Sequence, residues 1–146
     1  MTTKREQILA KIKTELTGTT GVGTRIYRNR VSALAKSETP SIVLEFITDD
    51  PTVRNGTIDI LSWTLRIRVV VIVRHKTPDT KADATVQSLH TKIVTDPTLG
   101  GLSIDVRPST VTFEAVEADT PAGIVTCEYE IDYRSAYNNL TWWITI

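Results

Sequence analysis

One hundred and forty-six residues, 40% hydrophobic and 23% charged, fit one domain that can bury a core without disulfide or metal staples. No apolar run reaches membrane-spanning length, the opening MTTKREQ is too polar for a signal peptide, and a lone Cys127 points to a reducing compartment. Charge sums to zero but is sorted: residues 1–36 carry eight Lys and Arg against two Glu, and an acidic excess lies in 105–132. Such sorting suits a nucleic-acid patch, a contact between the basic end of one copy and the acidic end of the next, or two solvated faces.

In chain order, Lys4 to Leu16 is predicted helical, with Ile8, Leu9, Ile12 and Leu16 on one face. Thr2 or Thr3 is the expected N-cap, Glu6 completes a capping-box pattern after Thr3, and Gly18 is the stop. Thr19-Thr20-Gly21-Val22-Gly23 is glycine-rich but follows a helix and lacks the Lys-Ser/Thr of a phosphate loop, so it reads as a turn. Arg25 to Arg30 suggests a short strand, and Ser41 to Ile47 a second one after Pro40. Thr48 to Gly56 is a cluster of turn formers, read as an arm that is either a flexible loop or a surface kept for a partner.

The longest strand signal runs from Ile58 to Arg74. Leu61, Trp63, Leu65, Ile67, Val69, Val71 and Val73 share one face, with Ser62, Thr64, Arg66, Arg68 and Arg74 on the other. Val70 and Ile72 make its far end apolar on both faces, so a helix, a second sheet or another subunit is expected over each. Pro78 and Asp79 open a second helix through about Thr95, with Ala82, Val86, Leu89 and Ile93 as its apolar stripe. Leu102 to Val106 and Thr110 to Val116 read as strand segments broken at Pro108, a bulge or edge position. The last strand, Ile124 to Arg134, alternates cleanly: Val125, Cys127, Tyr129, Ile131 and Tyr133 inward, Glu128, Glu130, Asp132 and Arg134 outward. If it lies beside the long strand, those carboxylates oppose Arg66 and Arg68.

The fold class expected is therefore α+β: a single mixed or antiparallel sheet with two helices on one face, in the order α-β-β-β-α-β-β. One domain spans 1–134, followed by an aromatic extension, 135–146, in which Trp142, Trp143, Ile144 and Ile146 fall within the last five residues. That extension either finishes the core or marks a partner surface.

No catalytic, cofactor or metal site emerges. His75 and His90 have no carboxylate or cysteine at ligand spacing, Cys127 lies on an apolar strand face, and no Gly-x-Ser-x-Gly is present. A non-enzymatic protein without cofactors is expected.

With its elements in order, the chain resembles the tail terminator family of long-tailed bacteriophages over about residues 4–134. The likeness rests on the opening helix, the TPSIVLEF strand, the hairpin into LRIRVVVIV, the second helix, TDPTLGGLSIDVRP and ADTPAGIVTCEYEIDYR. The Asp96–Leu102 turn and the Pro121-Ala122-Gly123 lead into the last strand carry most weight. The resemblance implies a ring, typically a hexamer, in the virion tail, assembled in the host cytoplasm. Such a ring binds the end of the tail tube, stops its polymerisation and presents the surface for a head-completion protein. DNA would meet it only in passage, and no membrane is involved. On that footing Asp49, Asp50, Arg54, Glu128, Glu130, Asp132, Tyr137, Trp142 and Trp143 are candidate interface residues, and Arg25, Arg28 and Arg30 candidates to face the lumen. A head-completion or neck protein is the near alternative, and a small nucleic-acid-binding module the alternative of another class.

Overall fold

A computed structural model describes residues 2–29, 40–55, 60–117 and 121–141, with backbone alone for 52–55. Helix α1 spans Lys4–Leu16, strand β1 Ile26–Arg28, β2 Ser41–Asn55, β3 Ile60–Arg74, helix α2 Pro78–Val94, β4 Asp105–Val116 and β5 Ala122–Ala136. The five strands form one mixed sheet in the order β1-β2-β3-β5-β4. Only β1 runs parallel to its neighbour, over three residue pairs; the other pairings are antiparallel.

The α1 boundary follows from its capping residues. Thr3 is extended and its hydroxyl accepts from the Glu6 amide at 3.2 Å, satisfying one of the helix's orphan donors. The reciprocal half of the capping box is not made, because the Glu6 carboxylate takes both guanidinium nitrogens of Arg28, at 2.5 and 3.0 Å. Gly18 stops the helix at φ +89, a value costly for any residue with a Cβ. Val22 of the following turn is fully buried, and the Thr85 hydroxyl of α2 reaches across to donate to the Thr20 carbonyl at 2.9 Å.

Both helices lie on the face that carries Leu65, Ile67, Val69 and Val71 of β3. Ile8, Ile12 and Leu16 of α1 and Ala82, Leu89 and Ile93 of α2 join them, with Val125, Cys127, Tyr129, Ile131 and Tyr133 of β5, in one core. The inward set of β5 is thus the set its alternation predicts. Burying one such Leu or Ile contributes on the order of 1.5–3 kcal/mol.

One expectation requires correction. Thr48 to Asn55 is not a turn cluster: it continues β2, antiparallel to β3, with register shifts between Phe46 and Thr48 and between Pro51 and Val53. Pro51 is exposed and stands beside a bulge, beyond the stretch that β1 covers among the described residues, Ile42 to Leu44. Pro108 sits at the bulge and edge position expected of it: the segments on either side form one edge strand, β4, whose register shifts between Pro108 and Thr110. Among the described residues the helices cover one face at the far end of β3, and no helix or second sheet lies over the other. There, Val43, Val70, Ile72 and Ile124 line an open groove of ≈ 440 Å³ with Glu45, Arg68 and Glu128, and Val70 is 8% exposed, screened by these neighbours.

Candidate assembly surfaces

The sorted charge is largely spent inside the chain. On the sheet face away from the helices, Arg68 lies opposite Glu128 and Arg66 opposite Glu130, with nitrogen–oxygen distances of 3.0 and 3.4 Å. Arg107 of β4 completes the ladder: it donates to Asp132 and Asp105, and to Glu130 at 3.2 Å. The hydrogen bonds it donates to Asp132 and Glu130 hold its guanidinium above the usual range. Thr64 donates to Asp132 at 3.2 Å. Glu128, Glu130 and Asp132, also candidates for an interface, therefore sit in the cross-strand ladder expected if the last strand lies beside the long one, extended by Arg107. In partly exposed surroundings each such pair contributes no more than about 1 kcal/mol.

The basic third behaves likewise. Arg28 forks onto Glu6, whose carboxyl its hydrogen bonds hold below the ordinary range. Arg25 donates to the Pro40 carbonyl at 2.9 Å and the Gly21 carbonyl at 2.6 Å, tying the turn after α1 to the start of β2. Lys11 pairs with Glu15 at 2.8 Å one helical turn on. Arg25 and Arg28 are thus structural ties, which draws them away from a DNA-facing role. Arg30 lies outside the described residues.

Of the predicted arm, Asp50 is exposed but Asp49 is not: its side chain is 2% exposed, turned under α1 by its place opposite Leu65. Tyr133 donates to its Oδ2, and an Arg5 nitrogen is 3.4 Å from the same atom. Its Oδ1 is buried with no hydrogen-bond partner among the described residues. Burial pushes this carboxyl above its ordinary value despite the Tyr133 bond. Asp49 thus has a buried side chain that leaves little of it to meet a neighbour. The Arg54 backbone pairs with Leu61, and its side chain lies outside the described residues.

The extension begins as structure. Ser135 and Ala136 are buried in β5, and the Ser135 hydroxyl accepts from the Trp63 indole at 2.8 Å. The chain then turns, and the Leu140 carbonyl accepts from the Lys4 amide at 2.7 Å while the Thr141 carbonyl accepts from Gln7 at 3.3 Å. Tyr137 is 46% and Leu140 40% exposed. Trp142 and Trp143 lie outside the described residues.

The surface that the sequence reading missed is β4. Residues 111–117 are all exposed, and Val111 and Phe113, on the helix side of the sheet opposite Cys127 and Val125, are 59% and 47% exposed. The signal was present: Val111, Phe113 and Ala115 alternate with Thr110, Thr112 and Glu114, the pattern of a strand with one face to bury. Here α2 stops short of covering that face. A groove of ≈ 280 Å³ runs between α2 and β4, lined by Val86, His90, Val111 and Tyr129 among others. Beyond it, β4 is the last strand of the sheet and its outer side is unpaired among the described strands.

Among the described residues no group of three or more His, Cys, Asp or Glu is placed to hold a metal ion. His75 Nδ1 accepts from the Thr77 amide at 3.1 Å ahead of α2, and His90 Nδ1 lies 2.9 Å from the Tyr129 hydroxyl. Burial raises the Cys127 thiol to about 11, away from a nucleophile's range. No helix among the described residues is long and apolar enough to cross a membrane. Compared with models of known protein families and with curated protein sequences, the chain gives no match.

Proposed function

We propose that this chain is a structural assembly protein of the tail terminator kind, forming a ring on the end of a phage tail tube, halting its polymerisation and offering the surface that joins tail to head. The observation that carries the reading is β4: an alternating strand at one edge of the sheet whose apolar set, Val111 and Phe113, is left uncovered in the single chain. Uncovered apolar strands are association surfaces. The opposite edge is different in kind, with the short parallel β1 and the bulged, proline-bearing outer half of β2. Unlike edges favour heterologous contacts, which close into rings when the rotation permits.

Charge supports this reading less than the sequence suggests, because the ladder and the Glu6–Arg28 fork satisfy it internally. The same internal pairing of Arg25 and Arg28 weighs against the nucleic-acid alternative. The test is to image purified protein alone and after mixing with polymerising tail tubes. Rings by themselves, and tubes that stop growing with one ring at the end, are the expected result. Unaltered tube growth would refute the terminator role.

A further inference from the structure

We propose that the C-terminal residues 142–146 of one copy cover the Val111–Phe113 face of β4 in the next copy, so that the aromatic end acts as the fastener of the assembly. This rests on the assembly reading above and names the partner of its surface. The segment Trp142-Trp143-Ile144-Thr145-Ile146 is aromatic and β-branched throughout, the residue types that fit a pleated, half-buried surface. The surface it would meet is one that β4's alternation prepares for burial and the single chain leaves open, 59% at Val111 and 47% at Phe113.

Geometry separates donor from acceptor within one molecule. The root of the segment is fixed against α1, by Lys4 to the Leu140 carbonyl and Gln7 to the Thr141 carbonyl. The next residue of α1, Arg5, stands over Asp49 of β2, which is level with Leu65 and, one strand on, Ile131. Phe113 is level with Val125, six residues along β5 and so about 20 Å away, and β4 lies three strand spacings, about 14 Å, from β2. Helix α2, packed on β3, β5 and β4, stands in the path. Five extended residues reach at most about 18 Å. The segment therefore falls short of its own Phe113. Its own Val111, level with Cys127 and about 19 Å away, is at the limit of its reach with α2 between, whereas another copy brings the two together without that span. Donor and acceptor are different patches on each copy, the head-to-tail arrangement from which rings close.

The test joins two variants in a Cys127→Ser background, each carrying one new cysteine, with the full chain as reference. Phe113→Cys protein is mixed with a mass-tagged Trp143→Cys protein under mild oxidation. A disulfide-linked heterodimer is expected, and a chain truncated after Thr141 should self-associate about 100-fold more weakly or worse while keeping its far-ultraviolet spectrum and cooperative melt. Val111→Lys should weaken association similarly, with the fold intact because that side chain is exposed. A linkage found only within one chain carrying both cysteines, or a truncated chain that assembles as well as the parent, overturns this inference and leaves the ring reading standing. A parent chain that never associates overturns both.

Discussion

Tyr133 of β5 and Asp49 of β2 meet beneath the first turn of α1, the phenol donating to a carboxylate whose second oxygen is buried without a partner. Burial raises this carboxyl, so the folded chain holds the proton more tightly than the unfolded chain. Its contribution to stability is then full below the ordinary carboxylate range and is lost as pH rises through the folded-state value. Asp49→Asn keeps an acceptor for Tyr133 and removes the buried charge. It should be neutral or stabilising by about 1 kcal/mol at pH 7, with the gain vanishing toward pH 4. Melting temperature against pH for parent and variant checks this. A marked loss at pH 7 would mean that the Arg5 pair outweighs burial.

Gly123 is required by packing, not by its backbone angle. A Cβ there would stand 2.6 Å from Cβ of Pro78 and 3.0 Å from the Phe113 ring, so the first turn of α2 or the exposed ring must move. Gly123→Ala should cost about 1–3 kcal/mol by denaturant titration. A neutral result would show that the α2 N-terminus gives way easily.

Arg107 gathers three carboxylates at the surface. Because these groups are solvated, Arg107→Ala should cost no more than about 1 kcal/mol and less at high salt. The oligomeric mass should not change, since the ladder is complete within one chain. A change of assembly state would return Glu130 and Asp132 to the list of interface residues.

Cys127 is 1% exposed with its thiol raised to about 11. A thiol reagent at pH 8 should label it only as fast as the sheet opens, and at the free-thiol rate once denaturant unfolds the chain. Rapid labelling of the native protein would show that the α2–β4 groove opens readily.

The elements that sequence made legible are those whose pattern is local. The 3.6-residue stripe of Ile8, Leu9, Ile12 and Leu16, the capping Thr3 and the alternation of β5 each state their structure within one or two turns of chain, and the structure repeats them. The Asp96 turn is similar: its carboxylate accepts from the Thr98 and Gly100 amides, setting up the positive φ of Leu99. What misled was turn chemistry overridden by pairing. Asp49, Asp50, Pro51 and Asn55 are poor strand formers, yet β3 is long enough to hold them in register, with bulges absorbing the misfit. The charge pattern was legible in part: the facing of Glu128 and Glu130 with Arg68 and Arg66 was expected, and the place of Arg107 in the ladder was not. Which Glu meets which Arg is a question of strand order, and β5 lies between β3 and β4, where all three arginines of the ladder reach it. The uncovered face of β4 was written in its alternation, but only the reach of α2 shows that nothing among the described residues closes it.

The central claim is that this chain is built to join copies of itself, and the measurement that tests it most directly is the mass of the full chain in solution across concentration, with ultraviolet absorbance for bound nucleic acid. The account predicts one discrete ring-sized species free of nucleic acid. A monomer at every concentration, or a monomer that binds DNA with steep salt dependence, would contradict it.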